Sequence, residues 1–401
     1  MTRHSRMRFG AFVAPFHPLD ENPLFWIDRD LELAMWMDQL GYDEFWMGEH
    51  HSGGYEINAS PEVFIAAAAQ HTRSIRFGTG VSSVPYHHPL ILADRIRQLD
   101  YITRGRTMFG IGPGSLPSDA HMLGIETSEA RDILDEAIEP MVRLLRGEVV
   151  TKKTKWFTLQ DARLQLLPYD EAGMEIAVAS MVSPTGAHAA GKWGLSMLSI
   201  GATASGGFNA LSSNWSIAEQ IAAENGQTVD RSKWRLAGPV HVAETRDKAR
   251  ENVRYGLQKW IDYFASVAVL PFSPEPGLDP VDAMIDSGFA VIGTPDDFVA
   301  QMERLQEQSG GFGCFLQIHV PWADWAETKR SYELIARYAM PKLNRLNVNR
   351  RASEDFLKEN NALFRGELQS AQNARIAQHA AEKGEENLNP DILESMKGKT
   401  N

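Results

Sequence analysis

The sequence predicts a (β/α)8 TIM barrel with insertions and a C-terminal helical or extended tail, and three observations carry that expectation. Short apolar segments alternate with amphipathic ones eight times along the chain. The short segments read as continuous apolar runs, the signature of parallel strands buried on both faces. The 401 residues suit eight such units with room for excursions. An open doubly wound sheet uses the same alternation, but the count of eight strands favours closure.

The elements follow in order. Residues 8–14 form the first strand and 28–40 the first helix, which Gly41 ends. Residues 43–48 form the second strand, and an Ala-rich helix spans 61–72. The third unit joins a strand at 75–81 to a helix at 90–103, closed by Gly105-Arg106. The fourth joins a strand at 107–112 to a long helix at 128–146, where Ile133, Ala137, Ile138, Met141, Leu144 and Leu145 recur at a helical period. The remaining strands are expected at 175–180, 195–200, 235–243 and 314–320, with helices at 185–193, 216–225, 245–264 and 325–339.

Three segments break the rhythm. Residues 149–167 are polar and β-like, an inserted hairpin with extended runs at 156–159 and 163–166. Residues 267–292 carry Pro271, Pro274, Pro276 and Pro280 and read as a loop excursion, a candidate lid. The expected organisation is therefore one barrel over 1–345 and a polar tail over 346–401. For that tail, an arm packed on a partner subunit and frayed disorder are both compatible with the composition.

Composition excludes some functions. Forty basic against 52 acidic residues give a net charge of −12, which disfavours a nucleic-acid surface or an anionic membrane patch. Cys314 is the only cysteine, so no intramolecular disulfide forms. The polar start at residues 1–8 and the lack of a run of ~20 apolar residues point to a cytoplasmic protein.

A barrel carries its chemistry on the loops that leave the C-terminal ends of its strands. The second strand runs out in Glu49-His50-His51, acid and base at one strand end. His17, His87 and His88 also lie beside strand ends. Adjacent histidines on an extended chain point to opposite sides, and no His-x-His or His-Glu-x-x-His occurs, so no metal site is expected. His50 is the candidate acid or base. Gly110-Ile111-Gly112-Pro113-Gly114 superficially matches a dinucleotide fingerprint, yet Pro113 and Pro117 interrupt the helix start such a site needs. A side-chain-poor strand end for a planar ligand fits better, and Gly78-Thr79-Gly80 suits the same purpose. Glycines serving barrel packing alone would look the same. Ser183-Pro184-Thr185-Gly186 opens a helix, either as a phosphate-binding N-terminus or as a plain cap by Ser183 with Pro184 in the first turn.

Taken in order, the motifs resemble one family. They are Met7-Arg8-Phe9-Gly10-Ala11-Phe12, Phe45-Trp46-Met47-Gly48-Glu49-His50-His51, Ser60-Pro61, Ile75-Arg76-Phe77-Gly78-Thr79-Gly80, His88-Pro89, Asp100 to Gly105-Arg106, Phe109-Gly110-Ile111-Gly112 and Gly293-Thr294-Pro295. This series is similar to that of the bacterial luciferase-like, flavin-dependent monooxygenases, and within them to the type that oxygenates a monoterpene alkene. The resemblance implies a reduced flavin (FAD or FMN) at the C-terminal face, O2 as co-substrate, and NADH consumed by a separate flavin reductase. His50 matches the active-site histidine. Gly80-Val81 matches a step that often holds a non-proline cis peptide beneath the flavin ring, with Gly112 on the neighbouring strand. Ser183 and Gly186 match phosphate contacts, and Arg131 a helix arginine near the phosphate. Phe16, Trp46, Tyr86 and Trp322 are the expected walls for a small apolar substrate, and a homodimer is expected. Luciferases carry Cys-Arg where this chain has Gly112-Pro113, so light emission is not expected and a related oxygenase is. A deazaflavin-dependent hydride-transfer enzyme and a non-catalytic flavin-binding subunit are the alternatives on the same scaffold.

Overall fold

Eight parallel strands pair in chain order: β1 (Arg8–Val13), β2 (Glu44–Met47), β3 (Arg76–Thr79), β4 (Thr107–Gly112), β5 (Glu175–Ser180), β6 (Ser196–Ser199), β7 (Arg235–Val242) and β8 (Cys314–His319). β8 pairs back onto β1, with Arg8 opposite Cys314 and Val13 opposite His319, so the sheet is a closed barrel. The computed structural model describes residues 6–14, 16–267, 277–384 and 389–391.

The period-two alternation of each strand splits its side chains between two cores. Phe9, Ala11, Val13, Phe45, Met47, Phe77, Phe109, Ile111, Val178 and Phe315 face outward and pack under the helices. Phe12, Trp46, Met108, Ala177, Leu198, Ala237, Cys314 and Leu316 fill the bore. Trp46 is the bulkiest of these, and its neighbours give way to it. A Cβ on Gly78 would collide with the indole, and one on Gly110 with the Thr79 carbonyl and the same ring.

The N-terminal end of the bore is closed by charge. The first residues of β1, β2, β3, β5 and β7 are Arg8, Glu44, Arg76, Glu175 and Arg235. Arg235 Nε lies 2.6 Å from Glu44 Oε2, and its Nη1 lies 2.6 Å from Glu175 Oε1. Arg8 Nε reaches Glu44 at 3.2 Å, and Arg76 Nη1 reaches Glu175 at 3.2 Å. The Trp46 indole N–H donates to Glu44 Oε2 at 2.9 Å. Burial alone would raise the Glu175 carboxyl, but Arg235 and Arg76 outweigh it and bring it down to about 2. Glu44 is likewise lowered, against its burial, by Arg235 and Arg8.

Several elements depart from expectation for local reasons. The helix expected at 216–225 is Ser205–Glu224; Gly206 and Gly207 are poor helix formers, but a Cβ on Gly207 would strike the Gly201 carbonyl, so close packing requires glycine there. The single helix expected at 245–264 is two, Arg246–Val253 and Leu257–Ser266. They break at Gly256, which presses on the Pro321 carbonyl and donates its N–H to Trp322 O at 2.8 Å. Helix Pro295–Ser309 was not anticipated, although Thr294 and Asp297 form a capping box at its start. The hairpin strands are Val150–Lys153 and Thr158–Ala162, so the run at 163–166 is not a strand. In the excursion, Pro280–Asp286 is a helix and Val291–Gly293 pairs with the end of β7. Pro271, Pro274 and Pro276 lie outside the described residues.

The chain divides into two units, Met1–Asn344 and Arg345–Asn401. The second contains helices Val348–Glu359 and Asn361–Lys383, neither with a buried residue. Among the described residues, no helix is long and apolar enough to cross a membrane.

Because Arg235 balances two buried carboxylates, Arg235→Met is expected to cost about 3–5 kcal/mol of unfolding free energy. Urea denaturation measures it, and a loss under about 1 kcal/mol would show that the cluster does not hold the barrel. The Glu175 share has the usual carboxylate sign. It is present above about pH 4.5 and is lost as pH falls through about 2.

Candidate active site

At the opposite, C-terminal end of the bore the core gives way to partly buried apolar side chains. Ala14, Val81, Ile200 and Ile318 are only partly buried and pack on the bore cluster, and Ala179 joins them. β3 stops at Thr79, the Gly80–Val81 peptide is cis, and Ser82–Ser83 then pairs with Ile111 and Gly112. A Cβ on Gly80 would lie 3.0 Å from Phe12, and one on Gly112 would lie 2.6 Å from Val81 Cγ2. Gly80, Val81 and Gly112 are therefore brought together, and close packing alone already requires the two glycines. The same closeness leaves no room for a cysteine at position 112.

His50 stands at the rim, its side chain 13% exposed. Its Nδ1 donates to Asp119 Oδ2 at 3.2 Å, and its Nε2 lies 2.8 Å from Glu56 Oε2. Asp119 sits in the short helix Pro117–Met122 beyond β4 and also accepts from the His51 N–H at 3.1 Å and from Ser52. Glu56 is fixed by a bridge to Phe16 and by the Tyr263 hydroxyl, which donates to its Oε1. Burial alone would lower His50, but its contacts with Asp119 and Glu56 and their charges prevail and raise it to about 10. His50 is thus an imidazolium at neutral pH.

Glu49 ties the rim together. Its Oε1 accepts from His87 at 2.7 Å and from His51 at 3.0 Å, and its Oε2 accepts from the Ser83 N–H at 2.7 Å. Arg95 donates to His87 Nδ1 at 3.1 Å, which leaves the His87 proton on Nε2, facing Glu49. Burial would raise Glu49, but His87, Ser83 and His51 lower it overall. Among the described residues, no group of three or more His, Cys, Asp or Glu is placed to hold a metal ion.

Ser183 and Gly186 meet at the start of helix Thr185–Trp193. Pro184, not Ser183, occupies the N-cap position, and no side chain caps the helix. Among the described residues, its first backbone N–H groups therefore have no side-chain acceptor, while a Cβ on Gly186 would strike the Ala179 carbonyl. Arg131 is exposed in the first turn of the adjacent helix Ala130–Leu145. The two helices pack side by side, and burial raises the Asp135 carboxyl, one turn beyond Arg131, against the charge of Lys192.

The four expected pocket residues separate. Trp46 lies wholly buried in the bore, bonded to Glu44. Trp322 is buried against Trp260, ring centroids 5.2 Å apart. Phe16 stacks on Tyr55 at 5.4 Å and meets Tyr263 at 5.0 Å, beside Glu56. Tyr86 reaches the rim edge-on to His51, and burial, with Asp119 and Glu49 nearby, pushes its hydroxyl up to about 12. Sequence reasoning missed Asp119, Glu56 and Tyr263. Only Asp119 had a local signal, an acidic residue just after Pro117 at a helix start.

Comparison with known proteins identifies the family. The family described as luciferase-like monooxygenase matches residues 7–311. Over 340 residues the chain is 52% identical to limonene 1,2-monooxygenase of Rhodococcus erythropolis, covering 84% of this chain and 87% of that protein. It is 44% identical to 4-hydroxyprotoasukamycin monooxygenase of Streptomyces nodosus subsp. asukaensis, covering 84% and 93%. The solved oxygenating constituent of 3,6-diketocamphane monooxygenase from Pseudomonas putida, in complex with FMN, superposes with a TM-score of 0.69 at 27% identity, over 84% of this chain and 99% of that one. The chain belongs to the luciferase-like monooxygenase family. It is an oxidoreductase of the flavin-dependent monooxygenase class.

The raised His50 sets an alkaline limit on stability. The folded state holds this proton above the ordinary histidine range, so the contribution is fully present below about pH 6.5 and gone once pH passes about 10. It is worth on the order of 5 kcal/mol at most. The stability gap between wild type and His50→Gln, from urea curves at pH 6 and pH 10, should narrow at the higher pH. A gap of constant size would mean that His50 is not held charged.

Proposed function

We propose that this chain is the oxygenating component of a two-protein system. It takes reduced flavin, FMN or FAD, from an NADH-dependent reductase and, with O2, epoxidises the alkene of a small apolar substrate, a monoterpene such as limonene. On this reading it is a cytoplasmic homodimer. The observation that carries the proposal is the packing of the cis Gly80–Val81 step beside Gly112 among partly buried apolar strand ends, which on this reading form a basin with His50 and the uncapped helix start at its edge. The substrate class rests on the 52% identity to limonene 1,2-monooxygenase.

The residues present fit a flavin. A flat ring needs backbone approach and apolar contact, which the cis Gly80–Val81 step and Gly112 offer. A phosphate needs unpaired N–H donors and a cation, which the Thr185–Trp193 helix start, Ser183 and Arg131 offer. Bound there, reduced flavin supplies two electrons to O2, one oxygen atom passing to the alkene and the other leaving as water. The basin's apolar lining disfavours water. His50, protonated on both nitrogens, is the group at the rim able to give a proton to a departing oxygen. Tyr86, half-buried beside His51, is the one of the four expected aromatic residues placed to meet a substrate at that rim, whereas Phe16, Trp46 and Trp322 are buried.

The decisive experiment supplies photoreduced FMN or FAD, O2 and limonene to the purified chain and analyses products by mass spectrometry. Labelled O2 should place one heavy atom in an epoxide, and anaerobic samples should give none. A chain that neither binds flavin nor incorporates oxygen would overturn the proposal. His50→Ala should lower coupled product formation by about 100-fold or more while flavin affinity changes little. Wild-type yield in that variant would remove His50 from the chemistry.

A further inference from the structure

The two contacts of His50 are not alike. Nδ1 is hydrogen-bonded to Asp119, whereas Nε2 approaches Glu56 Oε2 at 2.8 Å without its N–H pointing at that oxygen. Glu56 Oε2 is buried and has no hydrogen-bond donor aligned on it among the described residues. The Glu56 side chain is only 6% exposed, so its charge acts on His50 through little water. Its other oxygen is taken by the Tyr263 hydroxyl. Tyr263 packs in a three-ring group with Phe16 and Tyr55, centroids 5.0 and 5.1 Å away, on helix Leu257–Ser266. The Tyr263 hydroxyl thus anchors the Glu56 carboxylate on the side away from His50.

We infer that Glu56, fixed by Tyr263, is a positioning residue that keeps His50 charged while leaving its Nε2–H free for the reacting atoms. Asp119 orients the ring from the opposite side through Nδ1. The charged and titratable groups around His50 are Glu49 and His51 on its own loop, Glu56 after it, Asp119 on the helix beyond β4, Tyr86 beyond β3, and Tyr263 on the helix after β7. Among the described residues, only Asp119 and Glu56 touch the imidazole through a carboxylate. With Glu56 neutral, the imidazolium faces one carboxylate instead of two, and it should lose its proton at lower pH. With the Tyr263 hydroxyl removed, Glu56 is freed to align with Nε2, which keeps the charge but occupies the donor.

The inference rests on the proposed monooxygenase reading, and two measurements separate their failures. In the full-length chain without flavin, labelled-histidine NMR follows the His50 imidazole through pH. Glu56→Gln should bring its midpoint down by about one unit or more, and Tyr263→Phe should leave it high. In the flavin-loaded enzyme, both variants should lose about tenfold or more in coupled product yield, with flavin affinity and the KM for the alkene within about threefold of wild type. Glu56→Asp should restore the pH profile in part. An unmoved midpoint in Glu56→Gln would overturn the inference whatever the reaction proves to be. So would full product yield in Tyr263→Phe, or parallel loss of flavin affinity and melting temperature in both variants.

Discussion

Five charged side chains at the closed end of the barrel determine much of what happens at its open end. Arg8, Glu44, Arg76, Glu175 and Arg235 come from five different strands and meet in one layer. A slip of one residue in any of those strands would turn its charge outward into the apolar layer under the helices. The layer therefore fixes register. It also orients Trp46, whose N–H bonds Glu44 and whose ring lies 5.0 Å from the Arg235 guanidinium. An indole lying across the bore requires glycine at Gly78 and Gly110, and the run of small residues continues to Gly80 and Gly112 at the mouth. The bare surface on which a planar ring can lie is the upper end of a packing solution that begins with the ion layer.

The two ends of the bore are electrically opposite. Three arginines against two glutamates leave the closed end with one excess positive charge. At the rim, the His50 imidazolium lies between Asp119 and Glu56, with Glu49 as a third carboxylate nearby, so acidic side chains predominate there. Each carboxylate there is compensated by hydrogen bonds: Asp119 by His51 and Ser52, Glu56 by Tyr263, Glu49 by His51, His87 and Ser83. Burying a charge without such partners costs several kcal/mol, so these contacts are a condition for placing acids beside an apolar basin. They also explain why burial does not decide the state of His50. Desolvation favours the neutral ring, but two close anions outweigh it.

The barrel was legible because local physics specifies it. β4 and β5 fall at 107–112 and 175–180, as the apolar runs required. The break at Gly256 was not legible, because it depends on the Pro321 carbonyl from a distant loop. The same limit governs the site. His50, Gly80, Gly112 and Ser183 announce themselves at strand ends, since their types are unusual there. Glu56 and Tyr263 meet across 207 residues of sequence, and His50 and Asp119 across 69. No periodicity or spacing encodes such a pairing; only the closed barrel brings the loops after β2, β4 and β7 to one rim. Trp46 and Trp322 were read as pocket walls because aromatic size is visible in sequence and direction is not. Inward direction on β2 places Trp46 in the bore.

The arrangement has a consequence for an apolar substrate. A hydrocarbon gains little from a charged surface, and a free carboxylate beside it would hold water that the basin must lose. At this rim the carboxylates face His50, Tyr263, His87 and backbone donors, so their hydrogen-bonding capacity is directed into the protein. On the proposed reading the basin is lined by the partly buried Ala14, Val81, Ala179, Ile200 and Ile318. Acid groups and apolar lining thus lie within a few residues of each other without the first wetting the second. On the proposed reading, that separation lets one imidazolium serve the chemistry of oxygen while an alkene rests on hydrocarbon alone.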